Sequence, residues 1–497
     1  MTQPLLNQLI ALSPEQRRAV LERVRQRTTG STAIPQLDRS AVGGGVLPTS
    51  FGQDRLWFLW RLAPASTTYH ESWCYEVTGG LEVGRLAAAV DALVARHEAL
   101  RTTLHEQDGQ IVQRVGPPWQ CGLTAAPVTR EQAVGLAAAA ARELFDLSAG
   151  PLVRARAWEL APDRHLVAFT AHHVVMDKWS LDVFGRELWA LYAAGGDPAA
   201  AGLAALDVQY ADYAAWHRGL VAGRAGADVA YWRQALDGAT PVCPLPDHPA
   251  PEHTEFSGET AIAAVPASAL DWLAAARSDA GTDFVALFAV WCLFLARHTG
   301  QRDLTVGTLV SGRTHPDTAA LIGFFVNTLA LRVRIDPTAD LPGYLRQVRA
   351  VVLDAFAHQD IPFEHVVRAV APRRAATHNP LFTTSFSHTP ATSLPASDLP
   401  AGLTLTPLPT GGGSHFDLSL TAAGTPEGLV LRLEYSTDLY DPATIAGYLD
   451  SLTDLLAAIA ARPDAPLQAF LEPTPREAAL LATWNQAATA PARTDAP

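Results

Sequence analysis

A mixed α/β chain folded into two lobes of similar size is what this sequence predicts. Three observations predict it. Helix-spaced and strand-like segments alternate on both sides of a charged stretch at 217–227. Hydrophobic residues make up 48% and charged residues 18% of the 497 positions, a globular composition with enough apolar residues for large cores. No short-period repeat competes with a lobed architecture.

The elements follow in order. Leu5, Ile10, Leu12, Val20, Leu21 and Val24 are helix-spaced, and Ser13-Pro14-Glu15-Gln16 has the form of a helix start. A linker containing Gly43-Gly44-Gly45 follows. Leu86 to His97 and Glu131 to Leu144 read as helices, and Arg164 to Ala171 as a buried strand. Ser180 to Ala194 reads as a helix with Ser180 as its N-cap. After the charged stretch, Val265 to Ala280, Asp283 to Gly300 and Leu341 to Phe356 read as helices, and Leu304 to Val310 and Leu429 to Tyr435 as strands. The expected organisation is therefore a helical leader and linker (1–45), a first lobe (46–218), a second lobe (219–473) and a tail (474–497).

Composition excludes several function classes. A formal net charge of -13 argues against a nucleic-acid partner, which needs a basic footprint. Cys74, Cys121, Cys243 and Cys292 are far apart and form no C-x-x-C pair, so neither a metal site nor a disulfide framework is expected. Cys292 lies in an apolar run and reads as core packing. No signal peptide and no run of about 18 apolar residues stands out, so no membrane association is expected and a cytoplasmic location is.

The sharpest chemical signal is Ala171-His172-His173-Val174-Val175-Met176-Asp177-Lys178-Trp179-Ser180. It sits where a strand gives way to a helix, a junction that places side chains at a cleft mouth. A histidine there can take a proton from a nucleophile or orient it, and a carboxylate four residues on can fix the loop. Two structural histidines and a helix-capping acid would give the same letters.

Context narrows the choice. Ser50 to Trp57, Arg96 to Thr102, His172 to Ser180, Tyr210 to Trp216, Ile322 to Thr328 with Arg332, His358 to Glu364 and Asn379 to Phe382 occur in this order. Together they resemble the seven ordered motifs of nonribosomal peptide synthetase condensation domains, over about Leu47 to Asp441. Two positions depart from the pattern. Gly52 stands where alanine is usual, and Lys178 where glycine follows the motif's Asp.

The resemblance implies two chloramphenicol-acetyltransferase-like lobes forming a V-shaped pseudo-dimer around a central tunnel. It implies an acyltransferase that forms an amide bond between a donor acyl or peptidyl thioester and an acceptor aminoacyl thioester, in the making of secondary metabolites such as antibiotics. Both substrates would ride on phosphopantetheine arms of partner carrier proteins, with no cofactor bound by the domain itself. The stretch Leu480 to Asn485 resembles the lead-in to an adjacent adenylation domain, which marks the chain as a piece of a larger synthetase.

Within the active-site motif, His173 is assigned the central catalytic role, His172 supports the loop, and Asp177 is structural, pairing with Arg313 of Ser311-Gly312-Arg313. Lys178, Trp179 and Ser180 are candidates to line the tunnel, and Lys178 to influence the chemistry. Three other readings stand beside simple condensation: a relative that also dehydrates a Ser- or Thr-derived residue, a noncatalytic platform that recruits a partner enzyme, and a free-standing acyltransferase using coenzyme A.

Overall fold

The computed structural model describes residues 33–39, 46–242, 244–249, 257–370, 379–389, 399–408, 416–425, 428–473, 476–479 and 482. The leader helix expected over 4–27, the Gly43 to Gly45 linker and nearly all of the tail, including Trp484 and Asn485, lie outside the described residues.

The first half contains β1 (Val46–Pro48), α1 (Phe51–Leu62), β2 (His70–Thr78), α2 (Val83–Arg96), β3 (Thr102–Gln107), β4 (Gln110–Val115), β5 (Ala125–Pro127), α3 (Arg130–Ala141), β6 (Val153–Ala161), β7 (Arg164–His172) and α4 (Lys178–Ala193). Helix α5 (Tyr210–Ala235) leads out of it. The second half contains β8 (Gly258–Ala264), α6 (Ala267–Ala280), α7 (Asp283–Thr299), β9 (Asp303–Val310), β10 (Asn327–Arg334), α8 (Leu341–Ala357) and α9 (Phe363–Val370). It continues with β11 (Thr384–Thr389), β12 (Thr404–Leu408), β13 (Leu418–Thr425), β14 (Gly428–Ser436) and α10 (Pro442–Ala461).

Three sheets result. A five-stranded sheet runs β12-β2-β7-β6-β5, a six-stranded sheet runs β10-β9-β11-β13-β14-β8, and β1-β4-β3 form a small third sheet. Each large sheet has its own core. In the first, Phe169 and Leu166 of β7 are covered by apolar residues that include Leu93, Phe184 and Ala133. Strand β7 is buried along almost its whole length, which is why its sequence reads as a continuous apolar run. The second core is organised around α7, where Val285 to Ala296 are all buried. A helix apolar on every side is a central helix, and Cys292 packs inside it. Helix α10 is long and apolar enough to cross a membrane by length and hydropathy. It buries Ile445, Leu449, Leu452, Leu456 and Ile459 in the second core, the placement of a core helix.

Two features cross the chain's midpoint. Strand β12, from the second half, pairs antiparallel with β2 and completes the first sheet. The segment before β10 inserts Leu321, Ile322, Phe324 and Phe325 into the first core. Between the halves, α5 runs unbroken through 218–219, so the stretch read as a charged helix or linker is a helix. This second-half segment is what meets the active-site motif.

Candidate active site

The motif begins where β7 ends. The backbone N–H of His172 donates to Leu152 O at 2.9 Å and that of His173 to Tyr69 O at 2.8 Å, so sheet pairing holds the two histidines. A single 3-10 turn, His173–Val175, then redirects the chain into α4. The N-cap of α4 is Asp177, not Ser180. The Asp177 side chain accepts the Ser180 N–H at 2.8 Å, satisfying one of the orphan donors of the first turn.

The two histidines differ in surroundings. His172 is buried, with its ring near those of His70 and Phe145. Its Nδ1 accepts the Val174 N–H at 3.1 Å. Burial, with smaller contributions from His70 and His173, pushes it down to about 3, so it is neutral at physiological pH and braces the turn. His173 is partly open, its side chain 17% exposed. Its Nδ1 donates to the Met176 carbonyl at 2.5 Å. A carbonyl only accepts, so the proton of the neutral ring belongs on Nδ1 and the lone pair on Nε2. That Nε2 lies 3.5 Å from Glu71 Oε1, and the ring meets Phe324 edge-on at 4.8 Å between centroids.

Asp177 faces the other way, into a buried knot between the halves. Its Oδ1 accepts from Arg313 Nη2 at 3.2 Å and its Oδ2 from the Phe325 N–H at 2.9 Å. Arg313 also donates to Leu321 O and Thr318 O, and to Ser180 Oγ at 2.7 Å, while stacking on Phe325 with 3.9 Å between charge and ring centre. Ser180 Oγ in turn donates to Gly323 O and accepts the Gly323 N–H. Burial lowers Arg313 from its usual value and Asp177 opposes that. Gly312 makes the approach possible. Its φ is +63°, and a Cβ there would stand 1.9 Å from Phe325 O.

The structure places the three residues expected along the tunnel as follows. Ser180 is fully buried in the knot. Trp179 donates its Nε1 proton to Ala319 O at 2.9 Å and lies beside Arg313. Lys178 is 66% exposed and pairs with Asp182 at 2.8 Å along its own helix, so it neither competes with Arg313 for Asp177 nor packs into a wall. Such exposed pairs contribute a few tenths of a kcal/mol. Lys178→Ala is therefore expected to leave the melting temperature essentially unchanged, and with it the mass of any product made at His173. A changed product mass would restore a chemical role for Lys178.

Most remaining motif residues hold structure. Ser50 and Gln53 form a capping box at α1. His97 and Arg96 share the buried Glu187 carboxylate. Tyr210 OH donates within a cluster that joins Ser50 Oγ and Phe324 O. Asn327 donates to Gln359 O and Ile361 O.

Phe324 and Glu71 are neighbours of the His173 ring that sequence reasoning did not single out. Gly52 was a visible signal for the first of them. A Cβ at Gly52 would stand 2.6 Å from Phe324 Cδ1, so this glycine makes room for the ring that packs on His173. Alanine gains up to about 1 kcal/mol as a helix former, but overpacking costs about 1–3 kcal/mol. Gly52→Ala is expected to lower the melting temperature and to slow turnover by displacing Phe324. A parental rate with an unshifted melt would show that the ring gives way freely.

Comparison with known proteins follows the same lines. Residues 44–482 match the family described as the condensation domain. A linear gramicidin synthase of Brevibacillus parabrevis is 36% identical over 455 residues, covering 88% of this chain and 6% of that protein. Phosphinothricin tripeptide synthetase PhsC of Streptomyces viridochromogenes is 36% identical over 479 residues, covering 94% of this chain and 44% of that protein. The chain thus spans less than half the length of these relatives. Among solved structures, the X-domain in complex with OxyB from teicoplanin biosynthesis superposes with a TM-score of 0.78 at 26% identity, covering 88% of this chain and 97% of that one. The condensation domain from the monacolin K polyketide synthase MokA superposes at 0.72 and 23% identity, covering 85% of this chain and 99% of that one, which is a likeness of fold.

Proposed function

This chain belongs to the condensation-domain family of nonribosomal peptide synthetases, and from that premise we propose that it forms an amide bond between a carrier-bound donor thioester and a carrier-bound acceptor amine. The observation that carries the reading is His173, whose Nδ1 proton is committed to Met176 O and whose Nε2 carries the lone pair at a partly open position. The donor and acceptor arrive as thioesters on phosphopantetheine arms of two carrier proteins, in the cytoplasm, with an adenylation domain as the neighbour in the synthetase.

Little base strength is required. A thioester is already activated, and an α-amine with a pKa of about 7.7–8.0 has a sizeable neutral fraction near pH 7. The amine nitrogen, hydrogen-bonded to His173 Nε2, attacks the thioester carbonyl carbon. The C–S bond breaks, the proton lost by nitrogen passes to His173, and the leaving thiolate takes it up. Holding both tethered reactants in line supplies much of the rate, and no acyl-enzyme is needed.

The test loads both carriers and reads the product mass. A mass equal to donor plus acceptor supports condensation. A product lighter by one water supports the dehydrating reading. The likeness to a domain solved in complex with OxyB favours a second reading, a platform that recruits a partner enzyme. No amide product from loaded carriers would support that reading over catalysis.

A further inference from the structure

Glu71 takes no part in the mechanism above, yet the sheet delivers it to the reacting nitrogen of His173. Strand β2 pairs antiparallel with β7, with His70 opposite His172 and Glu71 opposite Ala171. Side chains alternate along a strand. His70 therefore faces the buried His172, at 6.0 Å between ring centroids, and Glu71 lies on the other face. The 3-10 turn brings His173 to that same face, with Glu71 Oε1 3.5 Å from its Nε2. The hydrogen bond from His173 N to Tyr69 O ties the two backbones together, so the placement is a property of the sheet rather than of a loose side chain. Both groups are reachable from solvent, at 31% and 17% side-chain exposure.

The spacing is informative. A direct charge-assisted hydrogen bond is about 2.7–2.9 Å long, and 3.5 Å is longer. Two acceptors at this separation can both lie about 2.9 Å from one nitrogen that donates to each of them. With Nδ1 committed to Met176 O, His173 Nε2 and the Glu71 carboxylate present two acceptors side by side. Phe324, edge-on to His173, closes an apolar flank.

We propose that Glu71 and His173 Nε2 together form a receptor for the α-ammonium group of the acceptor, so that Glu71 binds the amine and selects a cationic primary amine as nucleophile. The inference rests on the condensation reading. The protons balance. The ammonium gives one proton to His173 Nε2, and the Glu71 carboxylate lies beside the imidazolium so formed. The neutral nitrogen attacks the thioester carbon. The adduct nitrogen then loses its second proton through Glu71 to water, and the C–S bond breaks. The departing thiolate takes the proton held on His173. The net change is ammonium plus thioester to amide, thiol and one released proton.

The experiment compares two non-reactive probes on the full chain at neutral pH, by calorimetry: pantetheine bearing an amide-linked glycyl group, and the same molecule bearing an acetyl group. The parent is expected to prefer the glycyl probe by about tenfold or more, the range for hydrogen bonds to charged groups. Glu71→Gln is expected to bring that ratio close to one without changing acetyl-probe affinity, and Glu71→Asp, which keeps the charge, to retain part of it. A parent with no preference, a Glu71→Gln variant that keeps it, or equal loss for both probes overturns the proposal. The binding ratio is independent of turnover. Failure of the parent to form amide from loaded carriers would remove the condensation reading and leave this result standing on its own.

Discussion

His173→Ala is expected to lower amide formation by about 10²–10⁴-fold, the range for removing a positioned proton-transfer group, while the protein stays folded. Both halves of that expectation come from the geometry. The side chain is partly open, its hydrogen bond runs to Met176 O three residues away, and its ring meets Phe324 edge-on. Alanine leaves the sheet hydrogen bond from the residue-173 N–H untouched, because that bond is made by the backbone. Residual turnover would come from holding two tethered reactants together, which does not need the imidazole. The measurement is single-turnover product formation with both carriers loaded, alongside a thermal melt. A parental rate in His173→Ala would remove His173 from the chemistry. The same substitution at His172 would be uninformative about chemistry, since that buried, neutral ring braces the turn and its loss would disturb the fold first.

How much of this was legible beforehand depends on how local each cause is. The apolar run ending in two histidines announced a buried strand and its exit, and β7 ends at His172. The start of the next helix was harder. Asp177 and Ser180 are both good N-cap types three residues apart, and only the hydrogen bond from Ser180 N to Asp177 shows which one caps. Choosing Asp177 moves Ser180 inside the helix and into the buried knot, so Ser180 could not line a passage. Strand β2 was not read at all. His70 to Thr78 mixes charged, aromatic and small residues, and one of its partners, β12, comes from the far half of the chain. Long-range pairing leaves no local periodicity. Glu71 was invisible for the same reason, because nothing in its own neighbourhood marks it and only the β2–β7 register places it beside His173. Gly52 is the intermediate case. Its departure from the family pattern was visible, but its reason was not until the Phe324 ring was located next to it.

The second large effect is expected at the knot. Asp177→Asn and Arg313→Ala should each destabilise the protein by about 3–5 kcal/mol, because each leaves the partner charge buried and uncompensated. Both side chains are 3% exposed, so water offers little relief. Asparagine cannot substitute quietly. The Asp177 oxygens face three donors, Ser180 N, Arg313 Nη2 and Phe325 N, and an amide NH₂ would set a donor against one of them. If a lobe of about 200 residues unfolds as a unit, that destabilisation corresponds to a fall of roughly 6–15 °C in melting temperature. Turnover should fall too, without Asp177 touching substrate. The carboxylate holds the Phe325 N–H, Ser180 holds Gly323, and Phe324 between them packs on His173, so loosening the knot loosens the imidazole's flank. A double variant separates the two roles. Asp177→Asn combined with Arg313→Ala removes both charges, and it should cost less than the sum of the single variants because no unpaired ion remains. Melting curves and single-turnover rates on the three proteins decide the matter: if the single variants melt like the parent while amide formation is lost, Asp177 acts in the chemistry and the structural reading is wrong.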